Sequence, residues 1–575
     1  MLSAEKEISK KYPKILTTPK IIKNSFFKFA KAITHEKTIN EFLKSHEHLV
    51  GFEFIDAVLE YFDFDYISSS KEIENIPTTG KVVIIANHPL GALDALTLLK
   101  LVSTVRKDIK IVANDFLGDI KNISSQVIAI NNFKASTKEM VKPIYEALNN
   151  EMAVIIFPAG EVSRVTPTGI KDKKWYKGFL KFAQKTASPI LPVFLGGKNS
   201  KTFYTLSILN KSLSTILLSH EMFKQKSRKI EIKIGGLIPF EHICPKNIDK
   251  DEIASLYKKH VYLIGKNSKR KLFETECAIA HPEDSKTIKE ELRASELLGQ
   301  TNDGKKIYLY RYSDDSIILR EIGRLREVSF RKVGEGVNKK RDTDKYDKYY
   351  QHIILWDEEK LEIVGAYRIA STNEVMPKYG NDGFYSNTLF QFNDTFAPYL
   401  QDSIELGRSF VQPKYWGTRA LDYLWYGIGA YLAKNPNIKY MFGPVSLSSN
   451  YPIAAQNILV SFYDFYFGTK EEMVTPKLEY TMHKNPVFLT EISNLFEFND
   501  YAKDFKTLKQ TMNTMGYTVP TLYKQYTELC ENGGSKFLGF NIDPDFNNCI
   551  DGFILVDVET IKDSQKKRYI PNFEK

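Results

Sequence analysis

"VVIIANHPLGALDAL", residues 82–96, begins as a run of apolar residues and ends as a helix. Five consecutive apolar residues, Val82 to Ala86, read as a strand buried on both faces. That pattern belongs to a parallel sheet covered by helices, not to a half-exposed antiparallel one. Pro89-Leu90-Gly91 breaks the strand, and Asp94 falls in the first turn of the segment that follows, where helix N-termini favour negative charge. Asn87 and His88 stand between. A histidine at the carboxyl end of a parallel strand lies where open α/β sheets bind ligands. In a continuous helix the spacing from His88 to Asp94 would put the two on nearly opposed faces. For Asp94 to orient the imidazole, residues 89–91 must form a non-helical turn that folds the carboxylate back.

The same strand-then-helix unit recurs outward from this stretch. "IKIVAND" (109–115), "QVIAINN" (126–132), "AVIIFPAG" (153–160), "PILPVFLGG" (189–197) and "KIEIKIGG" (229–236) are strand-sized apolar runs separated by helical segments. Their alternation predicts a mostly parallel sheet flanked by helices. Residues 37–64 read as a helical lead-in. Residues 245–305 turn polar and helix-prone, and Asp303-Gly304 signals a turn. From Ile307 a second pattern starts. "IYLYRYS" is a strand and "REIGRLREVSFRKVGEG" a helix. "YYQHIILWD" and "LEIVGAYRIAS" form a hairpin pair, "ALDYLWYGIGAYLAKN" is a helix, and "YMFGPVSL", "SKFLGFNID" and "DGFILVDVE" are further strands. The expected division is a basic amphipathic lead-in (1–50), a first α/β domain (51–280), a linker (281–305) and a second α/β domain with a mixed sheet (306–575).

A chain of 575 residues with net charge +10 suits an acidic partner, such as an anionic bilayer or an acidic carrier protein, without requiring one. Nucleic-acid binding is not expected. Cys244, Cys277, Cys530 and Cys549 have neither metal-ligand spacing nor the density of a disulfide framework, which points to a reducing compartment and no metal site. No apolar run has transmembrane length, and the N-terminus lacks a signal-peptide core. Instead "PKIIKNSFFKFAKAITHEK" (19–37) makes a helix with Phe26, Phe27, Phe29, Ala30 and Ile33 on one arc and lysines at its edges. Such a helix either lies in a membrane interface or packs on its own domain.

A lone His…Asp pair more often ends a strand and caps a helix than performs chemistry. Here "FPAGEVSR" (157–164) also follows an apolar strand, and "KGFLKFAQKTASPILPV" (177–193) comes after it. In this order the three blocks resemble the glycerolipid acyltransferase family, with its NH(x4)D, FPEGTRS and later VPV-type segments. The longer His-to-Asp spacing is that of its haemolysin-like branch. The resemblance covers roughly residues 40–240. It implies His88 as general base on an acceptor hydroxyl, with Asp94 orienting it. Asn87, Phe157, Pro158, Gly160, Glu161, Ser163 and Arg164 would line the acceptor site. Two positions depart from the pattern. Ala159 replaces the family's Glu, and Val162 replaces an Arg associated with a phosphate-bearing acceptor, which weakens the case for a lysophosphatidate substrate unless Arg164, two residues on, substitutes for it. "KDKKWYKGFLKFAQK" (171–185) reads either as a solvated helix face or as a lipid-phosphate contact with Trp175 and Tyr176 at the interface.

The second half carries Arg326 and Phe330 at helical i,i+4 spacing, Asp344 and Asp347, Arg368 in "VGAYRIA", and Glu405 and Arg408 in "ELGRSFV". This ordered set resembles the acyl-homoserine-lactone synthases and, more closely, the ornithine N-acyltransferases, over about residues 305–470. The resemblance implies the fold of the GCN5-related N-acetyltransferases and an acyl-carrier-protein donor. That fold's pyrophosphate loop is Gly-rich, whereas Trp416, Arg419 and Leu421 occupy the corresponding positions here. An acyl-carrier-protein thioester is therefore expected in preference to acyl-CoA, and no bound cofactor. Amine acylation needs a neutral nucleophile, so a base is required. The expected base is Glu405, with Asp344 and Asp347 holding the substrate cation and the three arginines pairing with a substrate carboxylate or with those acids.

Joined, these resemblances imply a fused acyltransferase making a phosphorus-free amino-acid lipid. The second domain would N-acylate ornithine or glycine with a 3-hydroxyacyl group. The first would O-acylate the 3-hydroxyl of that N-acyl derivative, at the inner face of the cytoplasmic membrane. Two rival readings are a lysophospholipid acyltransferase with an accessory module and a non-enzymatic membrane-active protein.

Overall fold

The computed structural model describes residues 3, 5, 9, 19–113, 115–130, 137–209, 217–244 and 248–570. It divides into two compact units, Met1–His281 and Pro282–Lys575.

The first unit holds β1 (Asp65–Ile67), β2 (Val82–Ala86), β3 (Ile109–Ala113), β4 (Val127–Ala129), β5 (Ala153–Ile156), β6 (Arg164–Thr166), β7 (Gly169–Lys171), β8 (Ile190–Leu195) and β9 (Lys229–Ile234). Seven of these form one sheet in the order β1-β9-β8-β2-β5-β3-β4, while β6 and β7 make a separate hairpin. All neighbours in the sheet are parallel except β8 and β9. The uninterrupted apolar run of β2 is explained by its central place. Val82, Ile84 and Ala86 pack on one side with Leu96 and Leu99 of the helix Ala92–Ser103. Val83 and Ile85 pack on the other with Phe179 of the helix Gly178–Thr186 and Tyr257 of the helix Lys250–Gly265. The 37–64 lead-in is helical over Glu36–Ser45 and Phe52–Tyr61, and β1 follows it. Asn131 and Asn132, expected to extend a strand, lie outside the described residues.

The second unit holds β10 (Glu296–Gln300), β11 (Lys306–Arg311), β12 (Gln351–Asp357), β13 (Glu362–Ser371), β14 (Phe390–Phe392), β15 (Ser403–Val411), β16 (Tyr440–Leu447), β17 (Val474–Pro476), β18 (Ser535–Asp543) and β19 (Cys549–Asp557). Eight strands form a sheet in the order β10-β11-β12-β13-β15-β16-β19-β18, while β14 pairs with β17. Every neighbouring pair is antiparallel except β15–β16. Alternate residues again divide between the faces. Ile307 and Leu309 join the helix Ala420–Lys434, and Tyr308 and Tyr310 join the helix Ile317–Lys332.

Residues 281–305 correct the expected linker. They form the helix Ser285–Leu292, with Ile288 and Leu292 buried, and then β10, hydrogen-bonded along β11. A polar surface pattern hid two apolar anchors. The last hundred residues, which carried no motif, complete the sheet, because β19 pairs with β16 from Tyr440 to Leu447.

The parallel pair is short. β15 and β16 pair only at Ser403↔Tyr440, Ile404↔Met441 and Glu405↔Phe442. Just beyond, Arg408 takes a left-handed backbone (φ 47°), and the register between β13 and β15 shifts. A strand bulged in this way bends and twists away from its neighbour. A cleft opens between β15 and β16.

Candidate active sites

In the first unit, β2, β5 and β8 lie side by side and end at the same edge. Pro89 to Gly91 form the turn, with Gly91 at φ 102°, and the helix starts at Ala92. Asp94, in its first turn, is wholly buried and reaches back to accept the N–H groups of Leu90 (2.6 Å) and Gly91 (3.0 Å). The same oxygen lies 3.1 Å from His88 Nδ1, at an angle short of a formed hydrogen bond. Hydrogen bonds of this kind are often misaligned until substrate is present. The Phe157 ring stacks on the imidazole, with centroids 4.2 Å apart. The His88 side chain keeps 18% of its surface exposed.

The second block is stitched to the first. Ser163 N–H donates to His88 O (2.7 Å), and Ser163 Oγ donates to Asp172 Oδ1 (2.5 Å). Asp172, fully buried, also accepts from Trp175 Nε1 (2.8 Å) and His88 N–H (3.3 Å). Burial pushes its carboxyl above the usual range, against those three donors. Tyr176 N–H donates to Pro158 O (2.9 Å).

Several expected acceptor-site residues serve the scaffold instead. Asn87 brackets Leu195, donating to its carbonyl (2.8 Å) and accepting its N–H (2.7 Å), which pins β8 to β2. Ser163 spends its hydroxyl on Asp172. Arg164 is 4% exposed, with its guanidinium 5.0 Å from the Phe203 ring centre. Burial lowers its pKa while Glu161 supports the charge. Phe157, Gly160 and Glu161 remain at the strand end, with Gly160 exposed and Glu161 half-buried. Trp175 is buried against Phe179, not at a lipid interface. In the lead-in helix Lys20–Ile33, Phe27 and Ala30 face inward, whereas Ile21 and Phe29 are exposed.

In the second unit the expected residues converge. Arg326, on its helix, and Arg368, on β13, are both buried. Arg326 donates to Asp347 Oδ1 (2.8 Å), and Arg368 donates to Asp344 Oδ1 (2.6 Å) and Asp347 Oδ1 (3.1 Å). His352 Nε2 stands 3.2 Å from that last oxygen. Asp344 caps a single 3-10 turn closed by Asp347, so the two share a capping box. Despite burial, the arginines and His352 hold Asp347 well below the carboxylate range. These acids neutralise the protein's own arginines, which corrects their expected role as the holder of a substrate cation.

Glu405 is corrected too. It is 1% exposed, and its oxygens accept from Ser386 N–H (2.6 Å), Ser386 Oγ (2.5 Å), Tyr385 N–H (3.2 Å) and the Tyr350 hydroxyl. With four donors around it, the carboxylate anchors the start of the short helix Ser386–Leu389. Arg408 and Phe330, by contrast, line the cleft between β15 and β16, a cavity of about 90 Å³. The Arg408 guanidinium lies between the rings of Tyr385 (4.6 Å) and Phe546 (4.7 Å).

Residues 16–270 match the family described as "Acyltransferase", and residues 325–426 match the "Acetyltransferase (GNAT) domain". A glycine N(alpha)-acyltransferase of Phocaeicola vulgatus is 32% identical over 310 residues, covering 52% of this chain and 94% of the relative. The chain belongs to the aminolipid acyltransferases. It is also similar to a lyso-glycine lipid O-acyltransferase of the same organism, at 29% identity over 220 residues (37% of this chain, 78% of the relative). It is also similar to an L-ornithine N(alpha)-acyltransferase of Agrobacterium fabrum, at 30% over 170 residues (28% and 56%). This acyltransferase thus joins two domain types that transfer acyl groups.

Reasoning from sequence missed Asp172 and His352. Asp172 sits in a lysine run and carries no motif. His352 interrupts the apolar strand "QHIILWD", and that interruption was a usable signal.

Proposed function

We propose that this acyltransferase makes a phosphorus-free amino-acid lipid in two steps. The second unit N-acylates a small amino acid, glycine or ornithine, with a 3-hydroxyacyl group delivered as an acyl-carrier-protein thioester. The first unit then esterifies the 3-hydroxyl. The hydroxyl acceptor must be attached before it can be esterified, which sets the order. The observation that carries the reading is the His88–Asp94 couple at the strand edge, in the same chain as an arginine-lined cleft of an N-acyltransferase fold. Asp94 steadies the imidazole from the Nδ1 side, so Nε2 takes the hydroxyl proton as oxygen attacks the thioester carbonyl.

Three further observations support details. Val162 packs with Phe203 and Tyr204 where a phosphate-binding arginine would be needed, which suits an acceptor without phosphate. Ahead of the helix Ala420–Lys434, Arg419 is tied to Asp422 (3.0 Å) in the first turn, and the Trp416 indole donates to Val411 O (2.8 Å). A carboxylate and bulky side chains at that helix start oppose pyrophosphate and favour the carrier-protein donor. Exposed Ile21 and Phe29 beside lysines give the lead-in helix a face for an anionic membrane surface. Among the described residues no helix is long and apolar enough to cross a membrane.

The test is expression in a host lacking aminolipids, followed by lipid mass spectrometry. The expected product is a diacylated amino-acid lipid, and His88→Ala should leave the mono-acyl amide. Diacyl lipid from His88→Ala would overturn the assignment of the first unit. New phospholipids alone would point to lysophospholipid acylation, and lysis without a new lipid to a membrane-active protein.

A further inference from the structure

The cleft between β15 and β16 holds groups that neither motif includes. Asp551, on β19, faces Ser446 on β16 and accepts its hydroxyl proton (2.7 Å). It is 2% exposed, and its other close neighbour is the Cys549 thiol, 3.9 Å away. Glu335, just after the helix Ile317–Lys332, lines the same cavity, as do Arg408, Tyr385 and Phe546. Asp543, on β18, accepts from the Tyr385 hydroxyl (3.1 Å) and Asp545 N–H (2.9 Å). Arg408 faces this group and is shared with Asp342 (3.5 Å) and Asp344 (4.0 Å) on the far side. Its guanidinium makes no hydrogen bond among the described residues, and its Nε is buried without one. The wholly buried Tyr523 hydroxyl also has no hydrogen-bond partner among the described residues and lies within electrostatic reach of Asp551 and Glu335. The cavity is therefore lined by two under-compensated carboxyls and a guanidinium that makes no hydrogen bond among the described residues, the complement of a zwitterion.

We propose that this cavity is the amino-acid site of the amide-forming reaction, with Asp551 taking a proton from the substrate's α-ammonium, Glu335 as the second anion beside it, and Arg408 gripping the substrate carboxylate. The assignment rests on the N-acyl transfer proposed above and gives the role expected of Glu405 to a group that reaches the cavity. The ammonium gives one proton to Asp551. The freed nitrogen forms the C–N bond at the thioester carbonyl, and the C–S bond breaks. The second nitrogen proton goes to the departing thiolate, and Asp551 returns its own to solvent. Burial, then Asp543, pushes Asp551 up to about 7, and burial with Asp551 pushes Glu335 up to about 8. A base poised near neutrality combines availability with driving force. Arg408 is the opposing charge on both acids, and Ser446 and Cys549 hold Asp551 through hydrogen bonds.

The test uses the purified full chain, a 3-hydroxyacyl-carrier-protein thioester, and glycine, ornithine or hydroxylamine as acceptor. Hydroxylamine is uncharged at neutral pH and needs no base. Asp551→Asn should lower kcat/KM for the amino acid at least 100-fold and abolish the acid limb near pH 7, while transfer to hydroxylamine persists. Amide formation within threefold of wild type, with the limb intact, would overturn the proposal, as would equal loss with both acceptors. If Asp551→Asn does not fold, Glu335→Gln decides, because an unchanged KM for the amino acid contradicts a cationic site here. A wild-type chain that forms no amide from either amino acid but O-acylates an N-(3-hydroxyacyl)glycine removes the N-acyl reading itself, and this site with it.

Discussion

At the scale of single residues, the two units use carboxylates in opposite ways. Asp94 and Asp551 are buried next to groups that face open space, whereas Asp172, Asp347 and Glu405 are buried and surrounded by donors. The proposed chemistry falls to the first kind, and the second holds the backbone. Asp94→Asn should cut O-acyl transfer by about 10²- to 10⁴-fold in kcat, the usual range for losing acid–base assistance. That loss is read with the N-acyl amide as substrate. Asp172→Ala should leave N-acyl transfer intact but destabilise the first unit by about 2–4 kcal/mol, because it strands the Ser163 hydroxyl, the Trp175 indole N–H and the His88 N–H. Urea titration of the fluorescence change measures it. His88 and Asp94 were legible because strand-end histidine, turn and helix-start carboxylate are all local in the chain. Asp551 was not. It gains its meaning from Glu335, more than two hundred residues away, and no periodicity records such a meeting.

At the scale of elements, two glycines set the geometry of the two sites in different ways. Gly91 takes φ 102°, but a Cβ there would meet only Val162 Cγ1 at 3.7 Å. Gly91→Ala should therefore cost backbone strain alone, about 1–2 kcal/mol, and should shift Asp94 away from His88. The expected result is an O-acyl kcat that falls further than the melting temperature suggests. Gly443 lies one residue past the last β15–β16 pair, and a Cβ there would sit 2.0 Å from Leu406 O. Backbone on both sides cannot yield, so Gly443→Ala should drive the strands apart and abolish amide formation while O-acyl transfer persists. Strand runs were readable because burial on both faces writes an unbroken apolar run, as in β2 and β5. The brief β1 and the β6–β7 hairpin were not, since three-residue strands carry too little pattern.

At the scale of the whole molecule, the second unit carries a pH signature. Asp551 and Glu335 bind protons more tightly folded than unfolded. From about pH 4, where free carboxyls titrate, to about pH 8, these two groups hold more protons folded than unfolded, so their contribution to stability falls as pH rises. Asp551→Asn should flatten that slope and gain up to about 4 kcal/mol at pH 8. Denaturation midpoints at pH 5 and pH 8 test the sign. The division of the chain into two α/β regions was readable from the repeated strand–helix pattern, but not where the second begins, because Ile288 and Leu292 are too sparse among charged residues to announce a packed helix. The segment 281–305 bears on how the protein can be taken apart. A fragment beginning at Lys306 would strip β10 from β11 and uncover the pocket that Ile288 and Leu292 fill, leaving a raw strand edge beside an apolar hollow. Such a fragment should aggregate, and proteases should find few cut sites in 285–300. A cut between His281 and Pro282 spares both elements, and that is where the two units can be separated and each assayed for its proposed transfer.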